Sequence, residues 1–147
     1  MNKTEITLNK EFFFSEYKRI FSENGLSRFM GDDLAEKFYS LTEFMLKQNA
    51  VMNLTAITET SEVILKHYAD SLTAAEYIDE GASVIDVGCG AGFPSLPLAI
   101  ARPDLKITAM DSTDKRIVYV RECASRLGLC NITAVTARAE DAAHGPL

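Results

Sequence analysis

The residues best placed to do chemistry fall in one run, Val84-Ile85-Asp86-Val87-Gly88-Cys89-Gly90-Ala91-Gly92-Phe93-Pro94. An apolar strand here enters three alternate glycines, which let the backbone bend sharply and approach a ligand with no Cβ in the way. Pro94 lacks an N–H and has a preset φ, so it suits the first turn of a following helix, where unpaired N–H groups favour an anion. The spacing is G-x-G-x-G, not the G-x-G-x-x-G of the dinucleotide fingerprint. Gly88, Gly90, Gly92 and Phe93 are therefore candidate contacts for a nucleotide-type ligand. A second strand over 106–111 ends in Asp111, 23 positions after Gly88, close to the roughly 20-residue offset at which a carboxylate meets ribose hydroxyls. A carboxylate can accept from both hydroxyls of a cis-diol; the plainer reading of Asp111 is a cap on the next helix. A third strand over 131–136 leads to Ala139 and Glu140, at the end of the sheet where the far end of such a ligand would lie.

The elements that must position these residues follow from periodicity. Helix 114–127 separates the second and third strands, with Gly128 as its C-terminal glycine. The first half of the chain reads as helices. Asn9 caps one carrying Phe13, Tyr17, Ile20 and Phe21 on a single face and closed by Asn24-Gly25. A second opens at Gly31-Asp32-Asp33, with Leu34, Phe38, Leu41 and Met45 at helical spacing, and breaks at Gln48-Asn49. Thr60 or Ser61 caps a third, on which Val63, Ile64, Tyr68 and Leu72 are apolar. His67 and Asp70, at i and i+3, share a face of that helix and can pair or meet a substrate together; a structural hydrogen bond is the plainer reading. Residues 79–83 form a short hinge into the first strand.

Composition narrows the class. The chain has 147 residues, 47% of them hydrophobic and 24% charged, which suits one ordinary globular domain. No apolar run approaches the roughly 18–20 residues that span a bilayer, and residues 1–5 carry no signal-peptide core; the expected location is cytoplasmic. Cys89, Cys123 and Cys130 are odd in number without C-x-x-C spacing, so neither a disulfide framework nor a metal site is expected. Residues 1–83 hold 8 Lys/Arg against 14 Asp/Glu, while residues 84–147 hold 7 against 7. That balance counts against a polyanionic partner, because phosphate contacts come from clustered Lys and Arg. Lys18-Arg19, Lys115-Arg116 and Arg121 are the local basic groups.

Three segments, in order, carry a family resemblance: Asn53-Leu54-Thr55-Ala56-Ile57, His67-Tyr68-Ala69-Asp70-Ser71-Leu72, and the run from Asp86 to Pro94. With Asp111 and Ala139-Glu140, they resemble class I S-adenosylmethionine-dependent methyltransferases. More narrowly, they resemble the bacterial small-subunit ribosomal RNA guanine-N7 methyltransferases, also called glucose-inhibited division protein B. The resemblance runs from the first helix onward. It implies an α/β fold in which an N-terminal helical region, 1–80, packs on the first half of a doubly wound Rossmann-like sheet in a partial cofactor domain, 81–147. It implies S-adenosyl-L-methionine as cofactor, with Gly88 and Phe93 at the turn, Asp111 on the ribose and Ala139-Glu140 on the adenine. Asn53, His67, Asp70 and Ser71 would face the small-subunit ribosomal RNA. The resemblance names no catalytic base and no metal.

The same resemblance implies a longer protein, because the family continues into further strands and another cofactor-contacting Arg. This sequence is then expected to be a fragment of doubtful activity alone, with strand order 3-2-1 and a bare edge on strand one through which copies could associate. Rival readings are a methyltransferase acting on a protein or small molecule, a nicotinamide-dependent oxidoreductase, and a non-catalytic interaction module whose glycine turn is a packing device.

Overall fold

The computed structural model describes residues 8–142; the readings made on residues 1–5 and on the chain beyond Ala142 lie outside them. The chain divides into two compact units, 1–69 and 70–147.

The first unit is helical. Helix α1 (Lys10–Glu23) starts where Asn9 accepts the Phe12 N–H through its side chain, satisfying one of the donors that a helix start leaves over. Its apolar face, Phe13, Tyr17, Ile20 and Phe21, is buried. Helix α2 (Asp32–Met52) buries Ala35, Phe38, Leu41 and Met45, with Leu34 half-buried at the margin. It does not break at Gln48-Asn49 as expected. Asn49 stays helical and sends its carboxamide oxygen forward to the Thr55 N–H, 2.9 Å away. The helix stops at Asn53, whose φ of 50° is left-handed, a conformation that asparagine tolerates better than most residues.

Helix α3 (Thr60–Glu62) is capped one residue earlier than expected. The Glu59 carboxylate accepts the Ser61 and Glu62 N–H groups, and the Ser61 hydroxyl instead donates to Glu16 at 2.6 Å. The chain then winds as a π-helix over Val63–Ala69. Aromatic packing closes this unit: the Tyr17 and Phe21 rings stack at 4.0 Å and Phe38 meets Tyr68 at 4.7 Å, each pair adding about 0.5–1.5 kcal/mol beyond its area. The two buried phenols keep partners, as burial demands. Tyr17 donates to the Phe29 carbonyl. Thr42 gives its one proton to the Phe38 carbonyl, so Tyr68 must be the donor in the 2.6 Å Thr42–Tyr68 bond.

The second unit opens with α4 (Asp70–Leu72) and continues as strand β1 (Ser83–Val87), helix α5 (Ser95–Ala101), β2 (Lys106–Asp111), α6 (Asp114–Leu127), β3 (Ile132–Thr136) and α7 (Ala139–Ala142). The strands form a parallel sheet in the order β1-β2-β3, the 3-2-1 order expected. Helix α5 packs on β2, α6 packs on β2 and β3, and the two helices touch. Every residue of α5 is buried, Ser95 included, which fits a sequence that is apolar from Leu96 onward. Gly128 ends α6 at φ 67°, as predicted. Arg102 forks onto the Ala75 and Ile78 carbonyls and pairs with Asp104, fixing the approach to β1 against the end of α5. β1 ends the strand order among the described residues, and Ile85 and Val87, which share one face of it, are 44% and 53% exposed.

Candidate functional site

The carboxyl ends of three parallel strands bring one set of predicted residues together. The turn after β1 carries Gly88, Gly90, Gly92 and Phe93, the last residue of β2 is Asp111, and Ala139 and Glu140 follow β3 in α7. In open α/β sheets this end of the strands is where ligands bind.

The glycines divide by role. A Cβ on Gly88 or Gly90 would meet nothing within 4 Å, so at these two positions the backbone itself faces open space. Gly92 is different: a Cβ there would stand 2.5 Å from Leu96 Cδ1. Its missing side chain is what lets the turn close onto α5. Phe93 is half-buried and joins Pro94 by a cis peptide bond. Pro94 precedes α5 as its N-terminal cap rather than entering the first turn, and α5 is only seven residues long.

Main-chain donors of the turn are largely spoken for. Cys89 N–H donates to the Met110 carbonyl at 2.9 Å, Gly92 N–H to Cys89 at 2.8 Å, and Leu96 N–H to Gly92 at 2.7 Å. Ser95 N–H donates to Asp86 Oδ2 at 3.2 Å and Gly90 N–H to Asp111 Oδ2 at 2.9 Å. At the helix start, the Ser95 and Leu96 amides therefore meet internal acceptors, the Asp86 carboxylate and the Gly92 carbonyl. Sequence reasoning missed Asp86 as a structural acid. Its position two residues ahead of Gly88, inside an otherwise apolar strand, was the available signal.

Asp111 is 6% exposed. Its Oδ2 takes the Gly90 N–H and its Oδ1 takes the Thr113 N–H at 2.8 Å. Burial alone would raise this carboxyl, but the Thr113 and Gly90 amides, helped by nearby Arg116, outweigh it and hold it below the usual range. Asp86 goes the other way, pushed up chiefly by burial, with the Ser95 N–H opposing and the Asp111 charge adding to the rise. The diol-acceptor and helix-cap readings of Asp111 thus meet a third arrangement, in which both oxygens already hold main-chain donors. Ala139 and Glu140 are exposed. The Glu140 contact with Arg138 is long at 3.7 Å and both side chains are over 70% exposed, so it fixes little.

The other predicted residues lie apart from the strand ends in sequence and element. Asn53 is exposed in its left-handed turn. His67 lies in the π segment, half-buried, with Nε2 2.8 Å from the Thr55 hydroxyl. Burial moves His67 below its usual value, favouring the neutral ring. Asp70 is exposed and Ser71 half-buried, both in α4 of the second unit. The shared helical face expected for His67 and Asp70 presumes α-helical winding, and the π winding of 63–69 removes that premise. Thr55, which touches His67, was missed as a partner although it sits inside the Asn53–Ile57 motif.

Cys89 and Cys123 are buried, Cys130 is exposed, and all three thiols are free. Among the described residues no three His, Cys, Asp or Glu side chains cluster as metal ligands, and no helix is long and apolar enough to cross a membrane. An open groove of about 360 Å³ runs between α6 and β3, lined by residues such as Val120, Arg121 and Ile132; none of the predicted site residues lines it.

Comparison with known proteins gives a consistent picture. A family model described as GidB, rRNA small subunit methyltransferase G, matches residues 34–146. Among curated relatives named ribosomal RNA small subunit methyltransferase G, that of Lactobacillus helveticus is 42% identical over 120 residues, 79% of this chain and 50% of its own length. That of Thermoanaerobacter sp. is 48% identical over 108 residues, 72% of this chain and 44% of its own. That of Staphylococcus haemolyticus is 41% identical over 126 residues, 84% and 52% respectively. The chain therefore spans about half the length of the curated relatives it matches. Among solved structures, a coclaurine N-methyltransferase bound to N-methylheliamine and SAH is similar with a TM-score of 0.49 and 18% identity, over 88% of this chain and 44% of that one.

Proposed function

The chain belongs to the GidB, rRNA small subunit methyltransferase G family, and from that premise we propose that it forms the cofactor half-site of an S-adenosylmethionine-dependent methyltransferase whose target is guanine N7 in small-subunit ribosomal RNA. One observation carries the reading: the glycine turn, Asp111 and the segment 139–140 converge at the carboxyl ends of three parallel strands. The residues fit such a ligand at the turn, because the Cβ positions of Gly88 and Gly90 open onto space.

In this proposal the backbone of Gly88 and Gly90 and the ring of Phe93 line the cofactor at the turn, and Ala139-Glu140 lies toward its adenine. When bound, the cofactor supplies a methyl group on a sulfonium, which a neutral ring nitrogen can take without first losing a proton. The chain is therefore asked for positioning and charge, not for a general base. Asn53, His67, Asp70 and Ser71 are proposed to face the RNA. A neutral His67 held by Thr55 suits hydrogen bonding to a base better than contact with a phosphate.

Charge favours one competing reading, methyl transfer to a protein or small molecule, since residues 1–83 are acidic and 84–147 are balanced. The test has two stages. Calorimetric titration of the 147-residue chain with S-adenosylmethionine should give saturable heat, and nicotinamide adenine dinucleotide should give none. Methylation of small-subunit rRNA by a chain extended past Leu147 should then label guanine N7. Cofactor binding without rRNA labelling would transfer the proposal to another acceptor. Preference for the dinucleotide would overturn it.

A further inference from the structure

The two bonds that bracket β3 fix which of its main-chain groups face the sheet. The Asn131 carbonyl accepts the Ile107 N–H at 2.8 Å, and the Ala137 N–H donates to the Asp111 carbonyl at 3.0 Å. Between them the register with β2 runs unbroken from Ile132 to Thr136. Main-chain groups along a strand point alternately to its two sides, so Asn131, Thr133, Val135 and Ala137 serve β2, while Ile132, Ala134 and Thr136 turn theirs away from the sheet. β3 ends the strand order among the described residues, which leaves that outward row without a ladder partner. Four of its five residues are β-branched, and none is charged, glycine or proline. That is the composition of an edge that recruits another strand.

One side chain closes the row. Arg121, from α6, donates through Nε at 3.1 Å and Nη2 at 2.8 Å to the Ala134 carbonyl, the acceptor at the centre of the outward row. Both lone pairs of that carbonyl are then engaged. The guanidinium also stands in the slot, roughly 4.8 Å wide, that a neighbouring strand would enter. The groove between α6 and β3 borders the same residue, and Arg121 and Thr133 are the polar members of an otherwise apolar lining. Asp114 reaches β3 too, but it takes the Thr136 hydroxyl at 2.9 Å and leaves the main chain open. We propose that the outer edge of β3 is a pairing surface for a second copy of this chain, kept closed by Arg121. Two β3 strands set antiparallel about Ala134 place Ile132 opposite Thr136 and Thr133 opposite Val135. No strand residue then sets like charges face to face, and the outward groups of the two rows meet in register. Such a contact is two-fold and closes on itself as a dimer.

Sedimentation equilibrium of the 147-residue chain reads the outcome as mass. Arg121→Ala should move the weight-average mass toward twice the wild-type value as concentration rises through the micromolar range. Adding Thr133→Lys, a charge on an exposed residue of the edge, should return it to the wild-type value. Equal masses for wild type and Arg121→Ala at every concentration would overturn the proposal. So would a mass gain that survives Thr133→Lys, because the copies would then meet elsewhere. Arg121→Met keeps an apolar stem on α6 and loses every donor, so it must behave as Arg121→Ala does, and it serves if the alanine variant fails to fold. Amide exchange by NMR in the wild type needs no variant at all. The Ala134 N–H should exchange roughly 10-fold faster than those of Thr133 and Val135, which face β2. An Ala134 amide protected as well as theirs would mean that the edge is already paired, and the proposal would be wrong.

Discussion

Replacing Gly92 by alanine should be the most damaging single-methyl change in the glycine turn, and its cost can be worked from the structure. The new Cβ would lie 2.5 Å from Leu96 Cδ1 and 2.8 Å from Leu96 Cγ, with Val120 Cγ2 behind them at 3.5 Å. Leu96 and Val120 are both fully buried, so the leucine makes room only by displacing packed neighbours. Overpacking of this kind costs about 1–3 kcal/mol. The backbone adds its own penalty: φ at Gly92 is +91°, a region where a residue with a Cβ is strained by about 1–2 kcal/mol. Together these give a loss of about 2–5 kcal/mol.

Gly90→Ala is the matched control. Its φ is +55° and its Cβ would meet nothing within 4 Å, so only the backbone penalty of about 1–2 kcal/mol applies. Urea denaturation followed by far-ultraviolet circular dichroism, and by tyrosine fluorescence to check that the two compact units unfold together, supplies the comparison. In thermal melts each kcal/mol corresponds to about 2–4 °C for a chain near this size. A Gly92→Ala protein no less stable than Gly90→Ala would refute the assignment of Gly92 to packing against α5.

Other expectations follow from the same structure. The Glu16 carboxyl, held by Arg19 and then by the Ser61 hydroxyl, is pushed down to about 2. Its contribution to stability is therefore present above about pH 4.3 and fades as pH falls toward 2, and Ser61→Ala should raise the midpoint seen by carboxyl NMR; an unmoved midpoint would remove Ser61 from the interaction. His67, lowered by burial, should titrate below 6.5 by imidazole NMR. The unfolded chain then takes up that proton first, so stability should decline as pH drops through about 6.5, and a His67 midpoint above 6.5 would contradict the buried, neutral ring. Alkylation by iodoacetamide at pH 8 should modify exposed Cys130 in the native state and spare Cys89 and Cys123, whose thiols burial pushes up to about 12; mass spectrometry giving equal labelling at all three would show that the turn and α6 open readily.

Much of the architecture was legible because the signals were local. Asn9 capping α1, Gly128 closing α6 and the strand that ends at Asp111 are each set by a residue type whose backbone or side-chain preference acts within one turn. The parts that were not legible depend on partners distant in sequence. Asn49 looked like a helix breaker because nothing local shows its carboxamide reaching Thr55. Ser61 looked like a cap because its competing partner, Glu16, lies 45 residues away. The π winding of 63–69 leaves no mark in a pattern of Val63, Ile64, Tyr68 and Leu72 that also reads as α-helical. At the candidate site the residue types and their convergence were readable. The commitment of Asp111 to Gly90 and Thr113, and of Asp86 to Ser95, was not, because a diol acceptor and an amide acceptor have the same side chain.

That commitment changes what the turn offers a ligand. Five of its amides, those of Cys89, Gly90, Gly92, Ser95 and Leu96, bond within the protein, so an anion finds fewer donors than a free glycine loop would present. Ordering each backbone residue costs about 1–2 kcal/mol, and here much of that ordering is met on folding rather than on binding, which is the advantage of a preorganised site. The turn also stands between two carboxylates close enough to influence each other, since the Asp111 charge raises Asp86. A dinucleotide pyrophosphate brought to this turn would face those acids with few amides left to receive it. A ligand with a sulfonium and an ammonium against a single carboxylate meets the opposite situation, because its positive groups are attracted to the same pair. Arg116 offsets part of the Asp111 charge, yet it is one cation against two acids. The two acids therefore set a negative field at the stapled turn, to which the positive groups of a ligand are drawn.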